Sequence, residues 1–427
     1  MTGNPVGARD RSRSLVGPAG ISRAQVRAAT AAVYLAFVSS GFAFATWAAR
    51  IPSVKSQLQL SPRQLGLLLL ALPIGSIISL LTAGPFVAHT SPRRAVAVAS
   101  LASAAGLCLS GIGAQGAFTV TAMGLALLGL GTGIWDVAMN VEAAAVEQRA
   151  GTSMMSRFHA SLSGGTVIGA GLAAACAALH IPVVVHLGVV AALIAIAVPL
   201  STRRYLATDT RPSTHHPTRD ALRAWTEPRT LALGIFVLSM AFSEGTGNDW
   251  LASAMIEGHH TSVAAGSLSF AIFVAAMTIG RWFGPPLVDR YGPRLVTRAS
   301  AVLAMSGLAV TIFGPHQAFA LVGVITWGLG TAMGFPLGIS AAADDPSRAA
   351  IRVGVVSSIG YTAFLAGPPL LGFLAEHVGI LRSLSITMGV VAVGLLFTAS
   401  LRTAGSQRPH GEGTKPAEPC RGLRSSS

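Results

Sequence analysis

The sequence contains little charge for its length. Of 427 residues, only 11% are Asp, Glu, Lys or Arg, whereas 52% are apolar and the mean hydropathy is +0.61. Soluble domains carry about 25% charged residues and need them to cover their surface. This deficit excludes a soluble enzyme, a nucleic-acid-binding protein and a disordered chain, and it leaves an integral membrane protein.

Lysine and cysteine are also scarce. Lys55 and Lys415 stand beside 28 arginines, a bias that, together with the many alanines and glycines, suggests a GC-rich bacterial genome. Cys108, Cys176 and Cys420 cannot form a disulfide or zinc framework. The net charge of +14 is spread over short loops and tails, which argues against a nucleic-acid partner. We therefore expect a bacterial plasma membrane protein without metal or cofactor.

Long apolar runs are what the chain has in quantity. A spanning helix needs about 20 mostly apolar residues. Twelve such runs follow one another, and their predicted limits are 28–49, 64–88, 95–113, 117–141, 158–180, 181–200, 230–256, 264–288, 295–314, 317–343, 351–376 and 383–400. They predict an all-α integral membrane protein with twelve transmembrane helices.

The distribution of arginine and lysine predicts the orientation of these helices. With the N-terminus inside, the inner segments and the inner ends of the adjoining spans hold 25 of the 30 basic residues, the outer connections hold 4, and Arg281 lies deeper within a span. Basic loops mark the cytoplasmic side, so both termini are expected in the cytoplasm. The predicted segments are a basic tail (1–27), a first six-helix bundle (28–200), a cytoplasmic linker (201–229), a second six-helix bundle (230–400) and a disordered tail (401–427).

The two halves of the chain repeat each other at a nearly constant offset. The run Gly-Leu-Gly-Thr at 129–132 recurs at 328–331, an offset of 199, and Trp47 recurs as Trp250, an offset of 203. Two bundles of the same orientation form a parallel repeat, the architecture of major facilitator transporters. The pattern predicts two packed bundles that carry a solute at their interface.

The loop after the eighth predicted helix resembles a signature of that superfamily. Residues 289–294 are Asp-Arg-Tyr-Gly-Pro-Arg, which is similar to its Asp-Arg-x-Gly-x-Arg loop. The resemblance implies a gating role for Asp289, Arg290 and Arg294; the alternative is a basic loop that only fixes topology. The copy in the first half is eroded, and its corresponding positions hold Ala88, His89, Ser91, Pro92 and Arg93.

Four further motifs narrow the resemblance. They lie at 47–52 (Trp-Ala-Ala-Arg-Ile-Pro), 135–140 (Trp-Asp-Val-Ala-Met-Asn), 156–159 (Ser-Arg-Phe-His) and 361–369 (Tyr-x5-Gly-Pro-Pro). They resemble a poorly characterised bacterial branch of the superfamily that is related to the fucose permease group of sugar–proton symporters. The family implies a transporter, usually a monomer, and does not fix the solute. The first predicted helix lacks the acidic residue that the fucose permease group has there.

Ionisable side chains within the spans are the first candidates for the site, because each one is costly in a bilayer. Asp136 and Asn140 are one turn apart on the fourth predicted helix, so they share a face. Their spacing resembles that of the acid and the asparagine on helix 4 of the fucose permease group, where the acid carries the proton. His159 can relay protons or partner Asp136. A structural salt bridge or a helix cap remains the alternative.

The seventh predicted helix offers a second acidic pair. Glu244 and Asp249 lie in a segment with two glycines, Gly245 and Gly247, which predicts a helix that unwinds or bends where it lines a cavity. Glu244 is a proton or substrate candidate, whereas Asp249 could also be an ordinary interfacial residue. Arg281 could snorkel inward or hold an anion, and snorkelling is favoured.

Aromatic and proline residues complete the candidate set. Trp47 and Trp250 could stack on a ligand, but an interfacial aromatic belt is the favoured interpretation. Gly367, Pro368 and Pro369 must break or kink the eleventh predicted helix, which suggests a hinge, with a static kink as the alternative.

Symport of a sugar or related metabolite with protons is the leading hypothesis for function. Proton-driven efflux is the second, although the chain lacks the proline of the efflux pattern, which resembles Gly-x-x-x-Gly-Pro-x-x-Gly-Gly, on the fifth helix. A receptor-like protein without flux is a third possibility. The expected partners are a small solute, protons and the lipid bilayer.

Overall fold

The computed structural model describes residues 22–152, 154–206, 223–344 and 348–398. Most of the predicted N-terminal tail, the centre of the predicted linker and the predicted C-terminal tail lie outside these residues. In the described part, the chain forms sixteen helices. The first half contains α1 (Arg23–Ala48), α2 (Ile51–Gln57), α3 (Pro62–Leu69), α4 (Ala71–Thr90), α5 (Pro92–Gly113), α6 (Phe118–Ala150), α7 (Met155–Ala178) and α8 (Val183–Thr202). The second half contains α9 (Pro228–Gly258), α10 (Val263–Tyr291), α11 (Pro293–Phe313), α12 (Gln317–Thr331), α13 (Gly334–Ala342), α14 (Ala349–Val378), α15 (Ile380–Ser383) and α16 (Ser385–Leu396).

Twelve helical segments match the twelve predicted spans. Eleven are long and apolar enough to cross a membrane, and the twelfth, Ile380–Leu396, is apolar but shorter. Pro182 caps α8 and separates it from α7, as the predicted break requires. Some helices run beyond the apolar limits; α6, for example, continues to Ala150. The fold is the predicted all-α membrane architecture of two six-helix bundles.

The outer surface of the bundles is apolar. Large side chains such as Ile196, Trp282, Phe283 and Phe313 have more than 60% of their surface exposed. An exposed apolar surface of this extent would cause aggregation in water, whereas in a bilayer it contacts lipid tails. The polar side chains discussed below lie between the helices.

The repeat seen in the sequence is a repeat of helix contacts. A Cβ on Gly129 of α6 would collide with the carbonyl of Leu72 on α4, and a Cβ on Gly328 of α12 would collide with the carbonyl of Phe273 on α10. Glycine at both positions allows two helix backbones to approach closely. Two further helix pairs correspond in the same way. Helices α5 and α6 meet at Gly106 with Gly124 and at Ser103 with Gly131, and helices α11 and α12 meet at Gly307 with Gly323 and at Ala304 with Gly330. The two halves therefore share their packing, not only their composition.

One end of the molecule is closed by contacts between the two halves, and we call it the sealed end. Lys55 of α2 forms an ion pair with Glu257 of α9. The Ser267 hydroxyl donates to the Ala49 carbonyl at 2.8 Å. In the third contact, the Arg63 backbone amide donates to the Glu376 carboxylate at 3.1 Å. Every hydrogen bond or ion pair between described residues of opposite halves lies at this end.

Candidate functional site

A cavity of about 310 Å³ lies between the two halves, directly beneath the sealed end. This volume is at the lower limit for small-molecule sites and suits a compact solute. It is lined by Phe44, Trp47, Leu69, Leu72, Pro73, Ser76, Ile77 and Thr132 from the first half, and by Glu244, Gly245, Asn248, Asp249, Tyr361 and Phe364 from the second. Both halves thus contribute to the walls, and the side chains combine aromatic rings with a few polar groups.

Asp249 and Asn248 form the polar edge of the cavity on α9. Asp249 makes no hydrogen bond or ion pair with any residue that the structure describes. It is only partly exposed, and it lies on the cavity wall rather than at a membrane surface. This position agrees with a role in binding, which stays a prediction.

Glu244 lies about one turn before Asn248 and forms an ion pair with Arg281. One guanidinium nitrogen of Arg281, Nη2, donates to both carboxylate oxygens of Glu244, at 3.0 and 2.9 Å. The Arg281 Nε donates to the Ala332 carbonyl at 3.3 Å. The favoured interpretation of Arg281 as a snorkelling residue is therefore wrong, because its head group pairs with the Glu244 carboxylate between α9 and α10.

The helix that carries Glu244 and Asp249 does not unwind. Helix α9 is continuous from Pro228 to Gly258, which corrects the predicted unwinding, whereas the bend stays a prediction. The two glycines instead make room for rings: a Cβ on Gly245 would press on Phe364, and one on Gly247 would press on Phe273. The spacing that indicated flexibility thus reflects close packing of aromatic side chains against α9.

Asp136 and Asn140 share one face of α6, as their spacing predicts. The Asn140 amide donates to the Asp136 carbonyl at 2.8 Å and approaches its carboxylate at 3.3 Å. Asp136 is exposed, and it forms no ion pair within the described part of the chain, so the salt-bridge alternative is not realised in this conformation. Thr132, one turn earlier on the same helix, lines the cavity.

His159 lies near charged residues of both halves. It is exposed, packs edge-on against Phe37 at 5.2 Å, and lies within electrostatic range of both Asp136 and Arg281. Tyr361 of α14 lies within range of Asp136 in turn. Residues of opposite halves therefore face each other across a cleft that continues from the cavity away from the sealed end.

The two tryptophans lie inside the protein. Trp47 is 2% exposed and lines the cavity, whereas Trp250 is 0% exposed and borders only a small pocket beside it with Asp249 and Phe364. The favoured interpretation of both as an interfacial belt is wrong, since belt residues face lipid. Trp47 lies on the wall of the main cavity, whereas Trp250 is enclosed in this conformation, and the binding role of each stays a prediction.

The predicted gating residues lie at the other end of the molecule from the sealed end. Asp289 and Arg290 are exposed at the end of α10, and the Arg290 guanidinium lies over the Tyr291 ring at 5.3 Å. Neither Asp289 nor Arg294 pairs with another residue of the ranges described above. The clasp between halves that the signature implies is not formed in this conformation, and the gating role stays a prediction.

A cluster of charges that the sequence analysis missed lies at the same end of the second half. Arg352 donates to both oxygens of Glu227 at 3.1 and 2.5 Å, and Arg229 pairs with Asp344 at 2.6 Å. Arg348 approaches Glu227 at 3.5 Å. The hydrogen bonds from Arg352, aided by the charge of Arg348, hold the pKa of Glu227 below its usual value. This cluster joins the starts of α9 and α14.

The double proline does not break its helix. Helix α14 runs without interruption from Ala349 to Val378 and contains Pro368 and Pro369. A Cβ on Gly66 of α3 would collide with the Pro368 carbonyl. The predicted break is therefore not present, whereas the kink stays a prediction, and the proline turn packs against the other half. Gly367, beside it, borders the small pocket with Asp249.

Comparison with known proteins identifies the family. The sequence model of the Major Facilitator Superfamily matches residues 33–368 and 237–425. The chain belongs to the major facilitator superfamily. It is 31% identical to an uncharacterised MFS-type transporter of Yersinia pestis over 369 residues, which cover 86% of this chain and 93% of that one. It is thus a multi-pass membrane transporter, and not an enzyme.

Solved structures of this superfamily have the same fold. The nucleoside transporter NupG superposes with a TM-score of 0.74 at 16% identity, over 88% of this chain and 100% of that one. The fucose:proton symporter FucP of E. coli gives 0.59 at 15% identity, over 86% and 98%. At these identities the likeness establishes the architecture and leaves the solute open. No group of three His, Cys, Asp or Glu that could hold a metal occurs among the described residues.

Proposed function

We propose that this transporter moves a small polar organic solute together with protons across the bacterial plasma membrane, with both termini in the cytoplasm. The observation that carries the proposal is the constellation around the cavity. An exposed acid, Asp136, and a histidine, His159, face the Glu244–Arg281 pair of the opposite half. Intramembrane acids and histidines of this kind are typical of proton pathways.

Asp136 is the proposed proton carrier. The Asn140 amide donates to the Asp136 carboxylate, so a proton on this carboxylate shares its two oxygens with the amide. His159, within electrostatic range, stabilises the ionised form whenever it is itself protonated. Protonation of Asp136 removes this attraction between α6 and α7, and such a change in pairing can bias one arrangement of the helices over another.

Solute binding is assigned to the cavity. Trp47, Tyr361 and Phe364 offer ring faces, and Asn248 and Ser76 offer hydrogen-bonding groups. Rings and amides are the usual combination for polyhydroxylated solutes, whose C–H faces stack and whose hydroxyls exchange hydrogen bonds. Solutes of that type are named for two neighbours of the fold, a nucleoside for NupG and fucose for FucP, and they guide the choice of test solutes.

Alternating access follows from the asymmetry of the structure. The two halves touch by polar bonds at the sealed end, while the cleft with Asp136 and His159 extends the other way. With the predicted orientation, this conformation faces the cytoplasm. Import requires that the sealed end open and that the opposite end close, with Asp289, Arg290 and Arg294 among the groups that would then clasp the halves.

The test is transport by the purified protein in proteoliposomes that enclose a pH-sensitive dye. Sugars, polyols and nucleosides are added outside, one class at a time, with and without an inward proton gradient. We expect one class to enter with protons and to accumulate. Asp136→Asn should abolish accumulation yet retain solute exchange at equal concentrations, because exchange needs no net proton movement.

The histidine arm has a matched control. His159→Gln is expected to slow proton-coupled uptake, whereas His316→Gln, in the turn before α12, is expected to leave it unchanged. Proton-driven accumulation that survives Asp136→Asn would refute the coupling role. Solute leaving against its gradient as protons enter would replace symport by efflux, and binding without flux would leave a receptor.

A further inference from the structure

The Asp249 carboxylate has no positive partner among the residues that the structure describes. None of the residues that line its cavity is a lysine, an arginine or a histidine. The nearby cations are used elsewhere: Arg281 pairs with Glu244, and Lys55 pairs with Glu257. A carboxylate in a membrane interior is costly without a compensating charge. Either a proton or a cationic group of the solute can supply that charge.

Aromatic side chains line the cavity on whose wall this carboxylate lies. Phe364 borders both the main cavity and the small adjoining pocket, and Asp249 borders both as well. Gly245, one turn before Asp249 on α9, lets the Phe364 ring approach the helix backbone. Trp47 and Tyr361 are also lining residues of the cavity. A proton on the carboxylate gains nothing from neighbouring rings. An organic ammonium group, in contrast, is attracted both to ring faces and to a carboxylate.

We infer that the transported solute carries an ammonium group, and that Asp249, with the rings of Trp47 and Phe364, forms the subsite that binds it. This inference rests on the proposed function and narrows its solute to polar amines. The remaining polar groups of the cavity, Asn248 and Ser76, then hold the uncharged part of the solute. Within this arrangement Asp136 and His159 serve the proton, and Asp249 serves the solute.

The electrostatic part of the inference is tested without knowledge of the solute. Ser76→Cys places a thiol on the cavity wall, in a chain whose Cys108, Cys176 and Cys420 are replaced by serine. The thiol reacts with a cationic methanethiosulfonate (MTSET) and, separately, with an anionic one (MTSES). We expect the ratio of the two rates to exceed the ratio for a free thiol by roughly fivefold. Asp249→Asn should abolish this excess, and Asp249→Glu should keep it.

The chemical part is tested with matched solutes that differ in one group. Glucosamine is compared with glucose and N-acetylglucosamine, and tyramine with its hydroxyl analogue tyrosol, by thermal shift of the purified full chain. We expect an ammonium compound to bind at least about tenfold more tightly than its uncharged counterparts. Asp249→Asn should remove that preference, and Trp47→Leu should weaken it.

The outcomes separate this inference from the proposed function. A reagent ratio that does not respond to Asp249→Asn overturns the ammonium subsite. Uncharged solutes that bind as tightly as the amines overturn it too, even where Asp136-dependent uptake proves the proton coupling correct. Binding of tetraphenylphosphonium in preference to every polar amine would overturn the polar-solute part and indicate a site for lipophilic cations.

Discussion

Ser91 and Gly292 occupy corresponding positions in the two halves and share one backbone conformation. The φ and ψ angles are 115° and 153° at Ser91, and 79° and 154° at Gly292. Each residue ends one helix and precedes the proline that starts the next. This region of backbone space suits glycine, and a residue with a Cβ pays of order 1–3 kcal/mol to adopt it. The first half thus keeps the backbone turn of the family signature, although serine stands there in place of glycine.

Replacing this serine should therefore stabilise the protein. We expect Ser91→Gly to raise the free energy of unfolding by about 1 kcal/mol, since relief of the backbone outweighs the lost bond from the Arg94 amide to the serine hydroxyl at 3.4 Å. The melting temperature in detergent measures the change. Gly292→Ser is the matched control and should lower the melting temperature; an increase in that variant would show that the turn is not strained.

The Glu244–Arg281 pair should behave as one unit. The two side chains are 17% and 30% exposed, so removing one partner leaves the other charge partly desolvated. We expect Glu244→Gln and Arg281→Gln each to lower stability by about 1–3 kcal/mol, and the double variant to lose less than the two losses combined. Thermal unfolding of the four proteins forms the cycle. Additive losses would mean that the two groups act independently.

The Glu227 cluster predicts a pH-dependent contribution to stability. The lowered pKa of Glu227 means that its ionised form is bound more tightly in the folded state than in the unfolded state. This contribution is present above the usual glutamate pKa of about 4.3 and is lost as the pH falls through the lower folded-state value. The melting temperature of Glu227→Gln should lie well below that of the parent at pH 7, and the gap should narrow at pH 4.

The control for this prediction is Asp289→Asn. Asp289 is exposed and has no partner among the described residues, so its replacement should shift the melting temperature little at either pH. A gap for Glu227→Gln that stays constant from pH 7 to pH 4 would contradict the role assigned to the ion pairs.

Holding the sealed end shut should stop transport. Lys55 and Glu257 come from opposite halves and pair directly. In a chain without native cysteines, we expect a bifunctional methanethiosulfonate to cross-link the variant with Lys55→Cys and Glu257→Cys. The cross-link should abolish uptake, and its reduction should restore uptake. Each single cysteine variant, labelled with the same reagent, should retain uptake. Full uptake by the bridged protein would show that these helices do not separate during the cycle.

Much of the architecture follows from the sequence, because a bilayer imposes simple conditions on it. Apolar length identifies the helices, and the recurring Gly-Leu-Gly-Thr run identifies the repeat. The shared face of Asp136 and Asn140 also follows, since helical periodicity alone fixes it. These features depend on local composition or on one helix at a time.

What could not be predicted depends on distant residues. The pairing of Glu244 with Arg281 joins two helices, and the snorkelling alternative satisfied the same sequence. Gly245 and Gly247 indicated a bend, but the rings that fill the space come from other helices. The Glu227 cluster joins segments more than 100 residues apart, so no local pattern announces it. Side-chain partners across helices are the information that one sequence lacks.

The contact between α3 and α14 has a consequence for the speed of the transport cycle. Gly66 lies against Pro368, and Gly372 lies against Pro62, so each helix presents a glycine to a proline turn of the other. Such a fit has no flexible side chain at its centre that could yield gradually, and the two backbones must part in one step. A larger side chain at Gly66 or Gly372 would therefore change the rate at which the two halves exchange conformations. The walls of the solute cavity would stay the same.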